Sequence, residues 1–219
     1  MKLNVLKLGR CDYRKALDMQ YSILEKRQKG ELSDTLILVE HPPVITLGKH
    51  AVEANIVVSE KYLQDKGIGL YQIERGGDVT YHGPGQIVGY PIVGLREKGI
   101  GIREFVEKLE DTFINLLKEE YGINSGINQE FPGVWVGNEK VTALGLAVKR
   151  GVTMHGFAFN VNTNLEHFKL IVPCGISGKG VTSLQKLTGT SIDFEHASEQ
   201  VLEYFCKTLN YDSFEELSL

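Results

Sequence analysis

Cysteine is scarce in this sequence, and the three cysteines are too widely spaced to build a framework. Cys11, Cys174 and Cys206 form no Cys-x-x-Cys pair, and an odd number of thiols cannot pair completely. This pattern argues against a disulfide scaffold and against a zinc site made of thiolates. The histidines show no HxxxH or HExxH spacing either, so we expect no metal site.

Long apolar runs and a strong excess of one charge are also absent. No stretch approaches the ~18 apolar residues of a membrane-spanning helix, and residues 1–10 lack the apolar core of a signal peptide. We therefore expect a cytoplasmic protein with no membrane partner. The net charge of −4 gives no electrostatic reason to expect a nucleic-acid partner.

The composition is that of an ordinary globular protein, since 42% of the 219 residues are hydrophobic and 24% are charged. No internal repeat, low-complexity stretch or linker divides the chain, so we expect one domain over residues 1–219. Beyond about Gly189 the sequence carries no motif with a functional meaning.

Three segments have the apolar periodicity of amphipathic helices. The first is expected to end near Gly30 and the second at Gly122, and the third begins after Asp193. The apolar face of the first helix is expected to consist of Leu17, Tyr21 and Leu24. The faces of the second and third are expected to consist of Ile102, Phe105, Val106, Leu109, Phe113, Leu116 and Leu117, and of Ala197, Val201, Phe205 and Leu209.

Short runs rich in β-branched and aromatic residues lie between these helices and predict strands. Gly137 and Asn138 suit the tip of a hairpin. Strands separated by only a few long helices are typical of an α+β fold, and the regular alternation of a doubly wound fold is missing. We expect a single domain in which helices pack against a mixed or mostly antiparallel sheet.

A glycine-rich stretch, ERGGDVTYHGPGQIVGYPI, spans residues 74–92 and is a candidate binding loop. Gly76 and Gly77 would let backbone amides approach a ligand closely, beside the fixed cation of Arg75. Strand-like runs flank the glycines, whereas a phosphate-binding loop leads into a helix, so a nucleotide loop is not expected. A glycine-rich hairpin with a solvated arginine explains the same residues equally well.

A thiol stands in an unusual place in LIVPCGISGKGVTSL, where Cys174 lies between Pro173 and Gly175. These neighbours end strands and helices, which favours an exposed cysteine and makes Cys174 a candidate nucleophile. A histidine could still approach it in space as a Cys–His pair. Lys140, which follows the expected hairpin tip, is by itself an ordinary lysine, because most lysines are exposed and inert.

Three stretches, taken in order, resemble one protein family. They are LVEHPPVITLGKH, RGGDVTYHGPGQIVGYPI, and KVTALGLAVKRGVTMHGFAFNVNTNL running into PCGISGKGVTSL. Over roughly residues 35–185 this set is similar to the lipoyl(octanoyl) transferases, which are octanoyl-[acyl carrier protein]:protein N-octanoyltransferases. The resemblance implies the α+β catalytic fold that these enzymes share with biotin and lipoate protein ligases.

The resemblance also implies roles for particular residues. Cys174 would be the nucleophile that carries the acyl group as a thioester, and Lys140 would lower the pKa of Cys174 and transfer a proton. The small residues of the implied acyl-substrate pocket could leave room for an eight-carbon chain, although close strand packing would require the same residues. The pocket residues are Arg75, Gly76, Gly77, Asp78, Val79, Thr80, Tyr81, His82, Ala143, Leu144, Gly145, Gly156, Phe157 and Ala158.

The implied reaction moves an octanoyl group from octanoyl-acyl carrier protein to the ε-amine of a lysine on a lipoyl domain. The acceptors would be the lipoyl domains of 2-oxoacid dehydrogenase complexes and the H protein of glycine cleavage. Because a thioester donor already carries the activation energy, no ATP, metal or organic cofactor is expected.

Three other functions remain open on the same residues. An ATP-dependent lipoate or biotin protein ligase would share the fold but would not need Cys174 as a nucleophile. A non-catalytic acyl-binding or scaffold protein would explain a pocket, but not a pair formed by Lys140 and Cys174. A thioesterase would perform the first half of the reaction and pass the acyl group to water.

Overall fold

The computed structural model describes residues 1–172 and 179–217, apart from the side chain of Glu53, and within them it contains two β-sheets and six α-helices. The strands are β1 (Lys2–Arg10), β2 (Thr35–Glu40), β3 (Val44–Leu47), β4 (Gly69–Gln72), β5 (Val79–His82), β6 (Gln86–Ile92), β7 (Gly126–Ile127), β8 (Gly133–Val136), β9 (Glu139–Lys149), β10 (Val152–Asn160), β11 (Gly180–Val181) and β12 (Ser213–Glu216). The helices are α1 (Tyr13–Gln28), α2 (Glu60–Asp65), α3 (Leu95–Lys98), α4 (Ile102–Tyr121), α5 (Leu184–Thr188) and α6 (Phe194–Thr208). Short 3-10 turns occupy Glu53–Asn55 and Leu165–Leu170.

The larger sheet has the strand order β12-β1-β2-β6-β10-β9-β8-β7, with β11 beside β9, and the smaller sheet has the order β4-β3-β5. Strand β1 is parallel to both of its neighbours, whereas each pair from β2 through to β7 is antiparallel. In the smaller sheet β3 is parallel to β4 and antiparallel to β5. The expected α+β fold with a mixed, mostly antiparallel sheet is confirmed.

Asp12 caps the start of helix α1, because its side chain accepts hydrogen bonds from backbone N–H groups of the first turn. Leu17 and Leu24 are buried as predicted, but Tyr21 is 38% exposed, so the prediction that it belongs to the buried face is wrong. Tyr21 lies at the edge of the apolar stripe, where the ammonium of Lys149 is 4.8 Å from the centre of its ring.

Helices α4 and α6 pack against each other, and their apolar residues form one core with the larger sheet. Helix α4 ends at Gly122, which has a φ of 64°, as predicted. Asp193 caps the start of helix α6, because its carboxylate accepts a hydrogen bond from the backbone N–H of His196 over 3.0 Å. Ile102 is an exception to the predicted burial, because it is 42% exposed at the first residue of α4.

Residues of β10 enter different cores in alternation, which follows from the two-residue period of a strand. Phe157 and Phe159 pack with α4 and α6, whereas Met154 and Ala158 belong to the core beneath α1. A third core, which includes Tyr81, lies against the smaller sheet. The site described below lies where β9 and β10 of the larger sheet meet β5 of the smaller one.

None of the helices within residues 1–172 and 179–217 combines the length and the apolar character that crossing a bilayer requires.

Candidate active site

A cavity of about 530 Å³ lies between the two sheets. Its walls come from the loop before β5, from the strands β5, β6, β8, β9, β10 and β11, from the helices α1 and α5, and from the turn at Leu165–Leu170. Most of the pocket residues expected from the sequence line it, and Lys140 lines it as well. The expected residues that it contains are Arg75, Gly77, Asp78, Val79, Thr80, His82, Ala143, Leu144, Gly145, Gly156, Phe157 and Ala158.

Two of the expected pocket residues, Gly76 and Tyr81, do not line the cavity. The backbone N–H of Gly76 donates to the carbonyl of Leu146 over 2.9 Å, which attaches the glycine-rich loop to β9. Tyr81 is 1% exposed, and its hydroxyl is 2.7 Å from Nδ1 of His167 in the core of the smaller sheet. Both residues therefore support the wall rather than form it.

Arg75 is a buried cation held by backbone and hydroxyl oxygens. Its guanidinium donates to the Thr46 carbonyl over 2.7 Å and to the Gly76 carbonyl over 3.0 Å, and its Nε donates to Thr46 Oγ1 over 3.2 Å. The interpretation as a glycine-rich hairpin with a solvated arginine is wrong, because β5 and β6 belong to different sheets and Arg75 is only 8% exposed.

Close packing explains the small residues Gly145 and Gly156. A Cβ on Gly156 would lie 2.1 Å from the carbonyl oxygen of Gly89 on the neighbouring strand. A Cβ on Gly145 would lie 3.2 Å from Cδ of Arg75 and from the carbonyl oxygen of Gly76. The glycines let the strand and the loop approach β9 and β10, while they also contribute to the wall of the cavity.

A chain of polar side chains connects the cavity to the segment after residue 178. His82 Nδ1 donates to Gln86 Oε1 over 2.8 Å, and Gln86 Nε2 donates to Asn160 Oδ1 over 2.9 Å. Asn160 Nδ2 then donates to the carbonyl of Thr182 over 3.0 Å. The sequence alone indicates no role for Gln86 or Asn160, although Gln86 lies in the glycine-rich stretch at residues 74–92.

Buried tyrosines and histidines surround the inner part of the cavity. His41 Nδ1 donates to the Cys11 carbonyl and its Nε2 accepts from the Tyr90 hydroxyl, each over 2.8 Å. Burial lowers the pKa of His41 to about 4 and that of His82 to about 3. Both imidazoles are therefore neutral near pH 7, and the ring of Tyr13 stacks on His82 at 6.2 Å.

His155 occupies an unusual position in β10. It is 2% exposed and lines the cavity with a φ of 57°, which non-glycine residues rarely adopt. Its backbone N–H donates to Gln20 Oε1 over 2.9 Å, and no described residue forms a hydrogen bond with either ring nitrogen. Burial lowers the pKa of His155 to about 4, so this imidazole is also neutral.

Lys140 is the second residue of β9 and follows the hairpin tip at Gly137, which has a φ of 58°. Strands β8 and β9 confirm the predicted hairpin. Lys140 Nζ donates to the Pro132 carbonyl over 3.1 Å and lies 4.8 Å from the centre of the Trp135 ring. The ammonium of Lys179 lies 5.1 Å from the same ring.

Cys174, the expected nucleophile, lies outside the described residues, but the residues on both sides of 173–178 are described. Before the segment, the Val172 N–H donates to the Asn55 carbonyl over 2.7 Å, and Asn55 Nδ2 donates to Asp78 Oδ2 over 2.5 Å. After it, β11 runs parallel to β9 with Val181 opposite Lys140. Both flanks are thus attached to residues that the resemblance places in the site.

The fold is that of a known class of enzymes. The bipartite lipoate protein ligase of Thermoplasma acidophilum superimposes with a TM-score of 0.77 at 16% identity, over 100% of this chain and 88% of that one. The biotin protein ligase of Aquifex aeolicus, in complex with biotin and ATP, gives a TM-score of 0.57 at 14% identity, over 94% of this chain and 70% of that one. The expected catalytic fold of lipoate and biotin protein ligases is confirmed.

Sequence similarity identifies the family. Residues 12–206 match the lipoyl protein ligase A/B catalytic domain. The octanoyltransferase of Alkaliphilus metalliredigens (strain QYMF) is 60% identical over 215 residues, which are 98% of this chain and 99% of that relative. The chain belongs to the lipoyl protein ligase A/B catalytic-domain family and, within it, to the octanoyltransferases, which are acyltransferases. This confirms the resemblance found in the sequence.

Proposed function

We propose that the chain transfers an octanoyl group from octanoyl-acyl carrier protein, through a thioester on Cys174, to the ε-amine of a lysine on a lipoyl domain. Octanoyl transfer in protein lipoylation follows from membership of the octanoyltransferases. The donor, the thioester and the acceptor are the specific content of the proposal.

The observation that carries the proposal is the attachment of both flanks of residues 173–178 to the cavity. The backbone N–H of Val172 donates a hydrogen bond to the Asn55 carbonyl, and β11 lies beside Lys140 on β9. A nucleophile and a cation that favours its ionised form must act at the same carbonyl group, so they belong at one end of a shared cavity.

The first half-reaction moves the octanoyl group onto the enzyme. The thiolate of Cys174 attacks the thioester carbonyl, a new C–S bond forms, and the C–S bond to the thiol of the carrier breaks. The departing thiolate takes up a proton. One thioester replaces another, so this exchange needs no further energy source. The ammonium of Lys140 would favour the thiolate form of Cys174.

The second half-reaction moves the octanoyl group to the acceptor. The lysine ε-amine attacks the carbonyl, a C–N bond forms, and the bond to Cys174 breaks. The amine loses one proton and the cysteine sulfur gains one, and we assign this transfer to Lys140. The reaction proceeds forward because an amide is more stable than a thioester.

The cavity suits an alkyl chain. Val88, Leu144 and Phe157 contribute apolar surface to its wall. Burial keeps His82 and His155 neutral, so these side chains add no charge to the surface that an alkyl chain would contact.

The proposed partners are one acyl donor protein and several acceptor proteins. The donor is octanoyl-acyl carrier protein, and the acceptors are lipoyl domains of 2-oxoacid dehydrogenase complexes and the glycine cleavage H protein. The lipoate protein ligase of Thermoplasma acidophilum is described together with its E2 lipoyl domain, which supports a lipoyl domain as acceptor. A cytoplasmic location, without a membrane or nucleic-acid partner, stays a prediction.

Intact-protein mass spectrometry tests the covalent step. Brief mixing with octanoyl-acyl carrier protein, without ATP, should add one octanoyl group that hydroxylamine removes. Peptide mapping should place this group on Cys174, and the Cys174→Ala variant should remain unlabelled. Octanoyl on Cys11 or Cys206 instead would contradict the assignment.

The acceptor and the energy source need a separate assay. Transfer to an apo lipoyl domain should continue after apyrase has removed ATP. Activity with free octanoate that requires ATP and releases AMP would make the protein a ligase. Rapid release of octanoate to water in the absence of an acceptor would make it a thioesterase.

A further inference from the structure

Glu110 is a buried carboxylate that the reaction above does not use. It lies on α4 with 6% of its surface exposed, and its Oε1 accepts a hydrogen bond from the backbone N–H of Gly133 over 2.9 Å. A buried carboxylate is costly unless neighbouring groups compensate its charge. Gly133 begins β8, so this bond attaches the preceding loop to the helix.

The same loop holds the ammonium of Lys140. Pro132, the residue before Gly133, provides the carbonyl that accepts from Lys140 Nζ over 3.1 Å. On its other side Gly133 is close to β9, because a Cβ there would lie 2.3 Å from the Thr142 carbonyl oxygen. Glu110 therefore fixes one peptide group of a turn whose neighbouring carbonyl binds the lysine.

The charges of Glu110 and Lys140 also interact. Burial raises the pKa of Glu110, with smaller contributions in the same direction from Asp111 and Glu107 on its own helix. The Gly133 N–H and the charge of Lys140 act in the opposite direction. An attraction that favours the carboxylate must equally favour the ammonium, because the interaction energy belongs to the pair.

Other charged groups near Lys140 come from the strands and loops at the same end of the cavity. Glu139 is paired with Lys186 over 2.6 Å, and the ammonium of Lys179 lies 5.1 Å from the centre of the Trp135 ring. The positive charges of Lys179 and Lys186 disfavour the protonated form of Lys140, and the negative charge of Glu110 opposes this effect.

We propose that Glu110 is a positioning residue for Lys140: through the Pro132–Gly133 turn it orients the ammonium, and its negative charge keeps that ammonium protonated. The inference rests on the proposed function in one respect only. If Cys174 is the nucleophile, Glu110 would determine the fraction of enzyme molecules in which a protonated Lys140 stabilises its thiolate. The protonation state of Lys140 can be measured without any acyl donor.

Competitive labelling with acetic anhydride between about pH 8 and pH 11, followed by peptide mass spectrometry, gives the titration midpoint of Lys140 itself. Glu110→Gln keeps an oxygen for the Gly133 N–H but removes the charge. The midpoint of Lys140 should fall by about 0.5 to 1 pH unit, since removing an anion disfavours a nearby cation. Asp111→Asn removes an exposed charge from the same helix and should shift it by less than about 0.2 unit.

Two comparisons separate the possible outcomes. An unchanged midpoint in Glu110→Gln would overturn the electrostatic part of the inference, because a purely structural role survives that substitution. If the electrostatic role holds, the alkaline limb of the pH profile for octanoyl transfer should move down by the same amount as the midpoint. A shifted midpoint in a protein that transfers no octanoyl group would preserve the inference and contradict the proposed function.

Discussion

Gln86 and Asn160 are register partners on β6 and β10, and their side chains are joined by a hydrogen bond of 2.9 Å from Gln86 Nε2 to Asn160 Oδ1. Each amide has a second partner, since Gln86 Oε1 accepts from His82 and Asn160 Nδ2 donates to Thr182. The pair therefore connects the wall of the cavity to the chain that follows residues 173–178.

Replacing Asn160 by leucine should destabilise the protein and remove the side-chain hydrogen bond to the Thr182 carbonyl. Two buried groups lose a partner at roughly 1–3 kcal/mol each, so the free energy of unfolding should fall by about 2 kcal/mol or more. Urea denaturation measures this change. The exposed Gln64→Ala variant is the control and should change stability by less than about 0.5 kcal/mol. An Asn160→Leu protein as stable as this control would show that the connection carries little energy.

Two substitutions of Lys140 should separate its proposed roles. Lys140→Met should raise the pKa of the Cys174 thiol and slow acylation near neutral pH by roughly tenfold for each unit by which that pKa rises. Raising the pH towards 9 should restore much of this step. Lys140→Arg keeps a cation that cannot give up its proton, so it should form octanoyl-enzyme and transfer it poorly.

The measurements are the pH dependence of iodoacetamide alkylation at Cys174 and single-turnover rates of both half-reactions. An alkylation profile of Lys140→Met that coincides with that of the parent protein would exclude the electrostatic role. Full transfer by Lys140→Arg would exclude proton transfer through Lys140.

Acid should destabilise the fold through its buried histidines. The pKa values of His41, His82 and His155 are lowered to about 4, 3 and 4, against about 6.5 in an unfolded chain. Between these values the unfolded state binds more protons, so stability is fully present above about pH 6.5 and is lost as the pH falls. At pH 5.5 each histidine should contribute a loss of roughly 1.4 kcal/mol.

The test is urea denaturation at pH 7.5 and pH 5.5. His41→Gln keeps a donor for the Cys11 carbonyl and an acceptor for the Tyr90 hydroxyl but does not titrate, so it should reduce the pH dependence by roughly 1.4 kcal/mol. Replacing the exposed His50 by glutamine is the matched control. The same pH dependence in the parent and in His41→Gln would argue that His41 is not held neutral.

Enlarging the glycines of the wall should affect stability and binding differently. Gly156→Ala places a Cβ 2.1 Å from the Gly89 carbonyl oxygen and should cost about 1–3 kcal/mol of stability. Gly145→Ala meets Arg75 and Gly76 at 3.2 Å, so a smaller loss of stability is expected, with a raised KM for the acyl donor. Gly126→Ala meets nothing within 4 Å and serves as the control in denaturation and steady-state assays. A KM unchanged in Gly145→Ala would place the acyl chain elsewhere.

Local periodicity and turn chemistry were enough to predict much of this fold. The apolar stripe of α4, its end at Gly122 and the hairpin tip at Gly137 each depend on residues close together in the sequence. The surroundings of Arg75 depend instead on Thr46, which is distant in the chain, so its burial could not be predicted. Nor does any local signal show that β5 and β6, joined by a short glycine-rich turn, enter different sheets.

The candidate site shows the same division. The resemblance led to Lys140 and to twelve pocket residues that line the same cavity in the structure. It did not lead to Asn160 or Glu110, because their roles depend on hydrogen bonds to residues distant in the sequence. Asn160 contacts Gln86 and Thr182, and Glu110 contacts Gly133. Tyr81 lies within the range that the resemblance implies for the pocket, yet its side chain packs in the core of the smaller sheet.

Trp135 is the single tryptophan of the chain, and the ammonium groups of Lys140 and Lys179 lie 4.8 Å and 5.1 Å from its ring. The protein therefore contains an intrinsic optical reporter at the wall of its cavity. Excitation at the red edge of indole absorption collects emission from one ring, and that emission depends on nearby charge and on exposure to water. Acyl loading and arrival of the acceptor could be followed in stopped-flow experiments without attaching a dye.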